Sequence, residues 1–107
     1  MVARGQIHWA DLGEPSGRRP FCVVTRGPAL PVLDAITVAP LTRTIRGIAS
    51  EVVVGAAEGL PTHSVVSCDN LMTVPKALLD PDPAGQLAGM GVVDLDHALR
   101  YALGIRF

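Results

Sequence analysis

Glycine and proline cut this chain into short pieces, and that punctuation restricts the fold more than any other feature. Breaks fall at Gly13-Glu14-Pro15-Ser16-Gly17, Gly27-Pro28-Ala29-Leu30-Pro31, Gly47, Gly59-Leu60-Pro61, Pro75 and Asp80-Pro81-Asp82-Pro83. Proline gives no N–H to a ladder and glycine admits the φ values that turns need, so none of these segments continues a strand or a helix. The pieces between them are apolar and rich in β-branched residues. They predict strands at 6–12, 21–25, 35–41, 51–55 and 64–68, with 70–74 as a sixth. In the first, Ile7 and Trp9 alternate with polar Gln6 and His8, the strand period. Pro40 marks an edge, a bulge or the end of its strand.

The period changes at Gly91. Val92, Leu95, Leu99 and Leu103 follow an amphipathic helical stripe, with Asp94 and Asp96 early and Arg100 late, as the helix dipole favours. Gly104 is a natural stop. The expected fold is mainly β with a C-terminal α-helix: a small, strongly bent sheet or barrel. The 107 residues suit one domain, 1–107. With one Trp, one Tyr and two Phe, the core must be aliphatic. A second copy covering an apolar face would help so small a core, which favours a homodimer.

The net charge of −1 argues at first against a polyanion partner, but the charge is uneven. Residues 1–50 hold six arginines against three acids, 6 − 3 = +3; residues 51–107 hold three cations against seven acids, 3 − 7 = −4. A cationic half can carry a local polyanion site without a basic protein. Chance is the plain alternative with so few charges. Cys22 and Cys68 lie in apolar runs without metal-ligand spacing, so both read as buried core thiols. No secretory leader opens the chain and no apolar run reaches membrane-spanning length, which together point to a reducing cytoplasm.

Two strand ends carry the chemistry. Gly17-Arg18-Arg19-Pro20 leads into one strand, and Pro40-Leu41-Thr42-Arg43-Thr44 closes another. Guanidinium groups and hydroxyls aimed by ordered backbone suit a phosphate. The alternatives are an ordinary surface arginine and an ordinary turn hydroxyl. His8, His63 and His97 share no ligand spacing and read as surface or structural. Ser64 and Ser67 lack a nucleophile elbow, and neither a P-loop nor a dinucleotide fingerprint occurs. Asp94 and Asp96, two apart on a helix, do not share a face.

Taken in order, these pieces resemble the MazF/PemK family of toxins from bacterial toxin–antitoxin pairs. The matching segments are Arg4-Gly5-Gln6-Ile7-His8-Trp9-Ala10-Asp11-Leu12, Gly17-Arg18-Arg19-Pro20 with Val23-Val24, and Val38-Ala39-Pro40-Leu41-Thr42. Leu60-Pro61 with Ser64-Val65-Val66, Thr73-Val74-Pro75-Lys76, Gly85-Gln86-Leu87 and Ala98-Leu99-Arg100-Tyr101-Ala102-Leu103-Gly104 follow. The resemblance implies a compact SH3-like barrel of the MazF/CcdB type, acting as a homodimer. It further implies metal-independent, sequence-specific cleavage of single-stranded RNA without a cofactor, and inhibition by a MazE-like antitoxin with an acidic, disordered tail.

The family's catalytic arginine and threonine map to Arg19 and Thr42. Arg18, Arg26, Arg43 and Asn70 are candidate RNA contacts. The general base is left open, with Glu14 as the candidate in the same loop as Arg19. Four departures stand out: a short 13–18 loop, Met72 in place of a basic residue, Asp80-Pro81-Asp82-Pro83 in place of a short strand, and Ala88 where a helix-capping hydroxyl is usual. Two rival functions share the fold: a toxin that binds a protein such as a topoisomerase, and an inactive paralogue that sequesters antitoxin. Both predict uncut RNA.

Overall fold

A computed structural model describes residues 2–106. Its strands are β1 (Gln6–Asp11), β2 (Arg18–Val23), β3 (Ala35–Thr42), β4 (Glu51–Val54), β5 (Ser64–Ser67), β6 (Met72–Pro75) and β7 (Gly85–Gln86), followed by helix α1 (Gly91–Leu103). All described pairings are antiparallel, in the order β4-β5-β3-β2-β1-β7, with β6 also on β3. The sheet curls into a half-open barrel closed by the helix, so the SH3-like expectation holds.

Side chains alternate across the curled sheet and fill two cores. Ile7, Cys22, Ala39, Leu41, Val52, Val66 and Cys68 meet Leu95 and Ala98 of α1 in one. Ala10, Phe21, Val23, Ile36, Val38, Val74 and Leu79 pack on the opposite face in the other. Both thiols are buried, as expected. Burial pushes Cys22 up to about 12 and Cys68 to about 11, so neither supplies a thiolate near neutral pH.

Gly85 is present because of a close approach. A Cβ there would stand 2.2 Å from the carbonyl oxygen of Glu58, which leaves room for no side chain. Arg4 ties three elements together. Its Nε donates to Val24 O at 3.0 Å, and its Nη2 meets Asp96 Oδ1 on α1 at 2.8 Å.

Several expectations need correcting. β2 begins at Arg18, not Phe21, so both arginines lie inside the strand, opposite Asp11 and Ala10. β6 begins at Met72; Cys68–Asn70 is a 3-10 turn. β7 was not foreseen. Ile7 and Trp9 share a face, but only Ile7 is buried; Trp9 is 38% exposed where that face runs out into a groove. His8 is fully buried and structural, its Nδ1–H donating to Asp80 O at 2.8 Å.

The buried line of α1 is Gly91, Leu95 and Ala98, one residue out of step with the expected stripe. Gly91 accounts for the offset: a Cβ there would lie 2.9 Å from Leu87 Cβ, so the helix seats closest where it is smallest. Val92 and Leu103 are left exposed. The helix N-cap is Met90, not Ala88, and no side chain caps it.

Candidate active site

The site begins with a fork in the sheet. β2 and β3 pair at Phe21–Pro40, Cys22–Ala39 and Val23–Val38. Carried two rungs further, that register would set Arg19 opposite Thr42. The ladder stops first. Pro20 and Pro40 have no N–H to extend it, while on the edge of β3 away from β2 the last two residues pair with Val66 and Val65 of β5. Arg19 stays with Ala10 of β1. The two strands diverge, and a groove of about 480 Å³ opens between them.

Arg18, Arg19, Thr42 and Arg43 all line this groove, with Trp9, Thr44, Thr62 and Ser64 among their neighbours. Among the described residues, no carboxylate is part of its lining. The Arg19 Nε donates to Ser16 O at 3.1 Å, the turn carbonyl three residues back, which fixes the stem of the guanidinium. Its two terminal amino groups have no partner among the described residues. Thr42 Oγ1 accepts the Thr44 N–H at 3.2 Å, a local turn that orients the hydroxyl and leaves its proton for another acceptor.

Arg18 is differently placed. Its Nη2 lies 2.7 Å from Asp80 Oδ2 and its Nη1 3.4 Å from Oδ1, while its Cζ stands 5.7 Å from the centroid of the Trp9 ring. The hydrogen bond to Asp80 and its charge raise the Arg18 pKa, and the same bond holds the Asp80 carboxyl below its ordinary value. Arg18 is thus neutralised within the chain, whereas Arg19 and Arg43 have no acidic partner among the described residues.

The other expected residues lie apart. Asn70 lines an adjoining hollow of about 230 Å³ that shares Thr42 and Thr44 with the groove, and its Nδ2 donates to Ser67 Oγ at 2.8 Å. Arg26 follows the far end of β2 and lines neither cavity. Glu14 is exposed in the turn that closes the β1–β2 hairpin and does not line the groove. Sequence reasoning missed Trp9 and Asp80. Asp80 was legible only as part of a proline-rich break, and Trp9 only as half of an alternation.

A larger cavity of about 710 Å³ lies elsewhere, lined by Leu30, Pro31, Pro75, Lys76 and Leu79 with Asp34 and Asp80. Lys76, the one cation lining it among the described residues, donates to Leu30 O at 2.6 Å and is engaged. That chemistry does not suit an anion.

The sequence profile described as "PemK-like, MazF-like toxin of type II toxin-antitoxin system" matches residues 3–103. The chain belongs to this family. It is 42% identical over 101 residues to "Endoribonuclease MazF3" of Mycobacterium tuberculosis, covering 94% of this chain and 90% of that protein. The structure "Mycobacterium tuberculosis toxin MazF-mt6" superposes with a TM-score of 0.85 at 39% identity, covering 95% of this chain and 99% of that one. A second structure, "Endoribonuclease in complex with its cognate antitoxin from Mycobacterial species", gives a TM-score of 0.85 at 27% identity, over 100% of this chain and 99% of that one. Among the described residues of this PemK/MazF-like toxin, no helix is long and apolar enough to cross a membrane.

Proposed function

We propose that this PemK/MazF-like toxin is a sequence-specific, metal-independent endoribonuclease that cleaves single-stranded RNA in the forked groove. A cognate antitoxin inhibits it. It acts as a homodimer in the cytoplasm. The observation that carries the catalytic reading is the fork itself, with Arg19 and Thr42 on its two branches lining a groove that has no carboxylate among its described residues. The relatives named as endoribonucleases support the reaction class, and the complex with a cognate antitoxin supports the inhibitor.

The chemistry needs no nucleophile from the protein. The RNA 2′-oxygen attacks the adjacent phosphorus and forms the O2′–P bond as the P–O5′ bond breaks. The products are a 2′,3′-cyclic phosphate and a 5′-hydroxyl. Arg19 presents two terminal amino groups to the non-bridging oxygens, a planar fork that stays charged at any working pH. The Thr42 hydroxyl donates to the same developing charge. Arg43 adds a phosphate contact at the rim, and Asn70 meets the strand where it continues into the adjoining hollow. The 2′-OH proton goes to a base and the 5′-oxygen takes a proton. No groove-lining side chain among the described residues fills the base role, and Glu14 in the adjoining turn is the candidate.

The test is incubation of the purified protein with a long single-stranded RNA in EDTA, beside Arg19→Ala, with both ends of each product mapped. Discrete cuts with cyclic-phosphate ends, lost in Arg19→Ala, are expected. Intact RNA with folded protein would overturn the endoribonuclease reading and favour a toxin that only binds.

A further inference from the structure

Trp9, Arg18 and Asp80 form an arrangement that phosphate chemistry does not explain. A guanidinium meant for a phosphate gains nothing from an internal carboxylate, since the two anions compete for the same donors. Asp80 is nevertheless well fixed. Its N–H donates to Trp9 O at 2.8 Å, and its carbonyl accepts from the fully buried His8 at 2.8 Å. Both bonds hold it against the strand that carries Trp9. Its carboxylate takes both amino groups of Arg18. The guanidinium is thereby held over the indole ring, 5.7 Å from its centroid, with 53% of the Arg18 side chain still open to solvent. Trp9 and the charge-compensated Arg18 line the same groove as Arg19 and Thr42.

We propose that the Asp80-fixed Arg18 and Trp9 form a stacking platform for one nucleobase of the bound strand, beside the scissile phosphate held by Arg19. The role rests on the proposed RNA-cleaving function and deepens it, because it assigns Arg18 to a base and not to the backbone. Single-stranded RNA is recognised through unstacked bases laid on aromatic or guanidinium planes. Base stacking tolerates a neutralised arginine; a phosphate contact does not. Asp80 acts here as a positioning residue. It touches no substrate and sets the plane of Arg18.

Two readouts separate the alternatives. Trp9 is the only tryptophan in the chain, so its fluorescence reports this platform alone. Titration with a 2′-O-methyl oligouridine and with a mixed-sequence 2′-O-methyl RNA of equal length, neither cleavable, is expected to quench it. Trp9→Leu, followed by anisotropy of a labelled strand, should bind about 5- to 150-fold more weakly.

The second readout is salt dependence. Loss of one phosphate contact on a single strand lowers the slope of log K against log salt by about 0.7. Arg43→Gln should show that drop. Arg18→Gln should weaken binding with the slope unchanged. Asp80→Asn, which preserves shape, should reduce the quench and steepen the slope by about 0.7 as Arg18 is released to the backbone; Asp80→Glu should restore the wild-type pattern.

An unquenched Trp9 with either strand, or a slope reduced by Arg18→Gln, would overturn the platform. RNA cut by the wild type with no quench sinks the platform and leaves the endoribonuclease reading standing. Quenching by a protein that cuts no RNA does the reverse.

Discussion

Removing the guanidinium of Arg19 is the sharpest perturbation of the proposed mechanism. In the structure its Nε is committed to Ser16 O, and its two terminal amino groups are left for substrate. Loss of one donor aimed at a developing oxyanion costs about 10²–10³ in rate, roughly 2.7–4 kcal/mol. The two amino groups act as one fork, so their losses do not add, and Arg19→Ala is expected to fall in that range. The change to the fold is far smaller. Arg19 is exposed and gives up one hydrogen bond to a turn carbonyl, worth about 0.5–1.5 kcal/mol. The inactive variant should therefore remain folded, which thermal melting by circular dichroism checks.

Single-turnover cleavage of an end-labelled RNA at saturating protein reads the chemical step directly. Arg19→Lys keeps the charge but not the fork and should lie between wild type and Arg19→Ala. A folded Arg19→Ala within about threefold of wild type, under about 0.7 kcal/mol of barrier, would refute the assignment. So would a rise in KM at unchanged kcat, because that pattern marks ground-state binding and not transition-state stabilisation.

Other outcomes follow from the same geometry. Thr42→Val should slow cleavage by roughly tenfold or more while Thr42→Ser retains most activity, since only the hydroxyl is used; equal rates for the two, in the same single-turnover assay, would count against that role. Glu14→Gln separates the open base role from the rest: a flat acid limb of the pH–rate profile in the variant would assign it, and an unchanged profile would dismiss it.

Arg18 holds the Asp80 carboxyl below its ordinary 3.8, so the ion pair is complete above that pH and is lost as pH falls through the lowered value. Trp9 fluorescence should show an acid step below pH 3.8 that is missing in Asp80→Asn. Gly85→Ala would force a Cβ onto Glu58 O and should destabilise the fold by at least about 2 kcal/mol, read as a shift of the denaturation midpoint.

The parts of the fold legible in the sequence are those written in local chemistry. Breakers and β-branched runs located six strands, and the changed period located the helix. What eluded the sequence was set by distant contacts. β7 is two residues long and exists because Gly85 can slide under Glu58. The helix stripe missed by one position because Gly91 lets Leu87 close in, an effect that depends on shape and not on hydrophobicity. At the site, Arg18, Arg19, Thr42 and Arg43 were visible as cations and hydroxyls at strand ends. Their convergence was not, since it depends on where one ladder stops. Asp80 lies 62 positions from Arg18 in the chain, and nothing local announces that pair.

The fork between β2 and β3 has a mechanical consequence. Arg19 rides on one branch, braced by β1, and Thr42 on the other, braced by β5. The span across the groove is therefore a reading of how tightly the barrel is wound. Leu41 and Val66, packed together behind the branch point, act as its tensioner. Trimming Val66, which is fully buried and is not part of the groove lining, would slacken the curl and alter the reach from guanidinium to hydroxyl. In such a device, folding stability and the separation of Arg19 from Thr42 would be adjusted by the same few side chains.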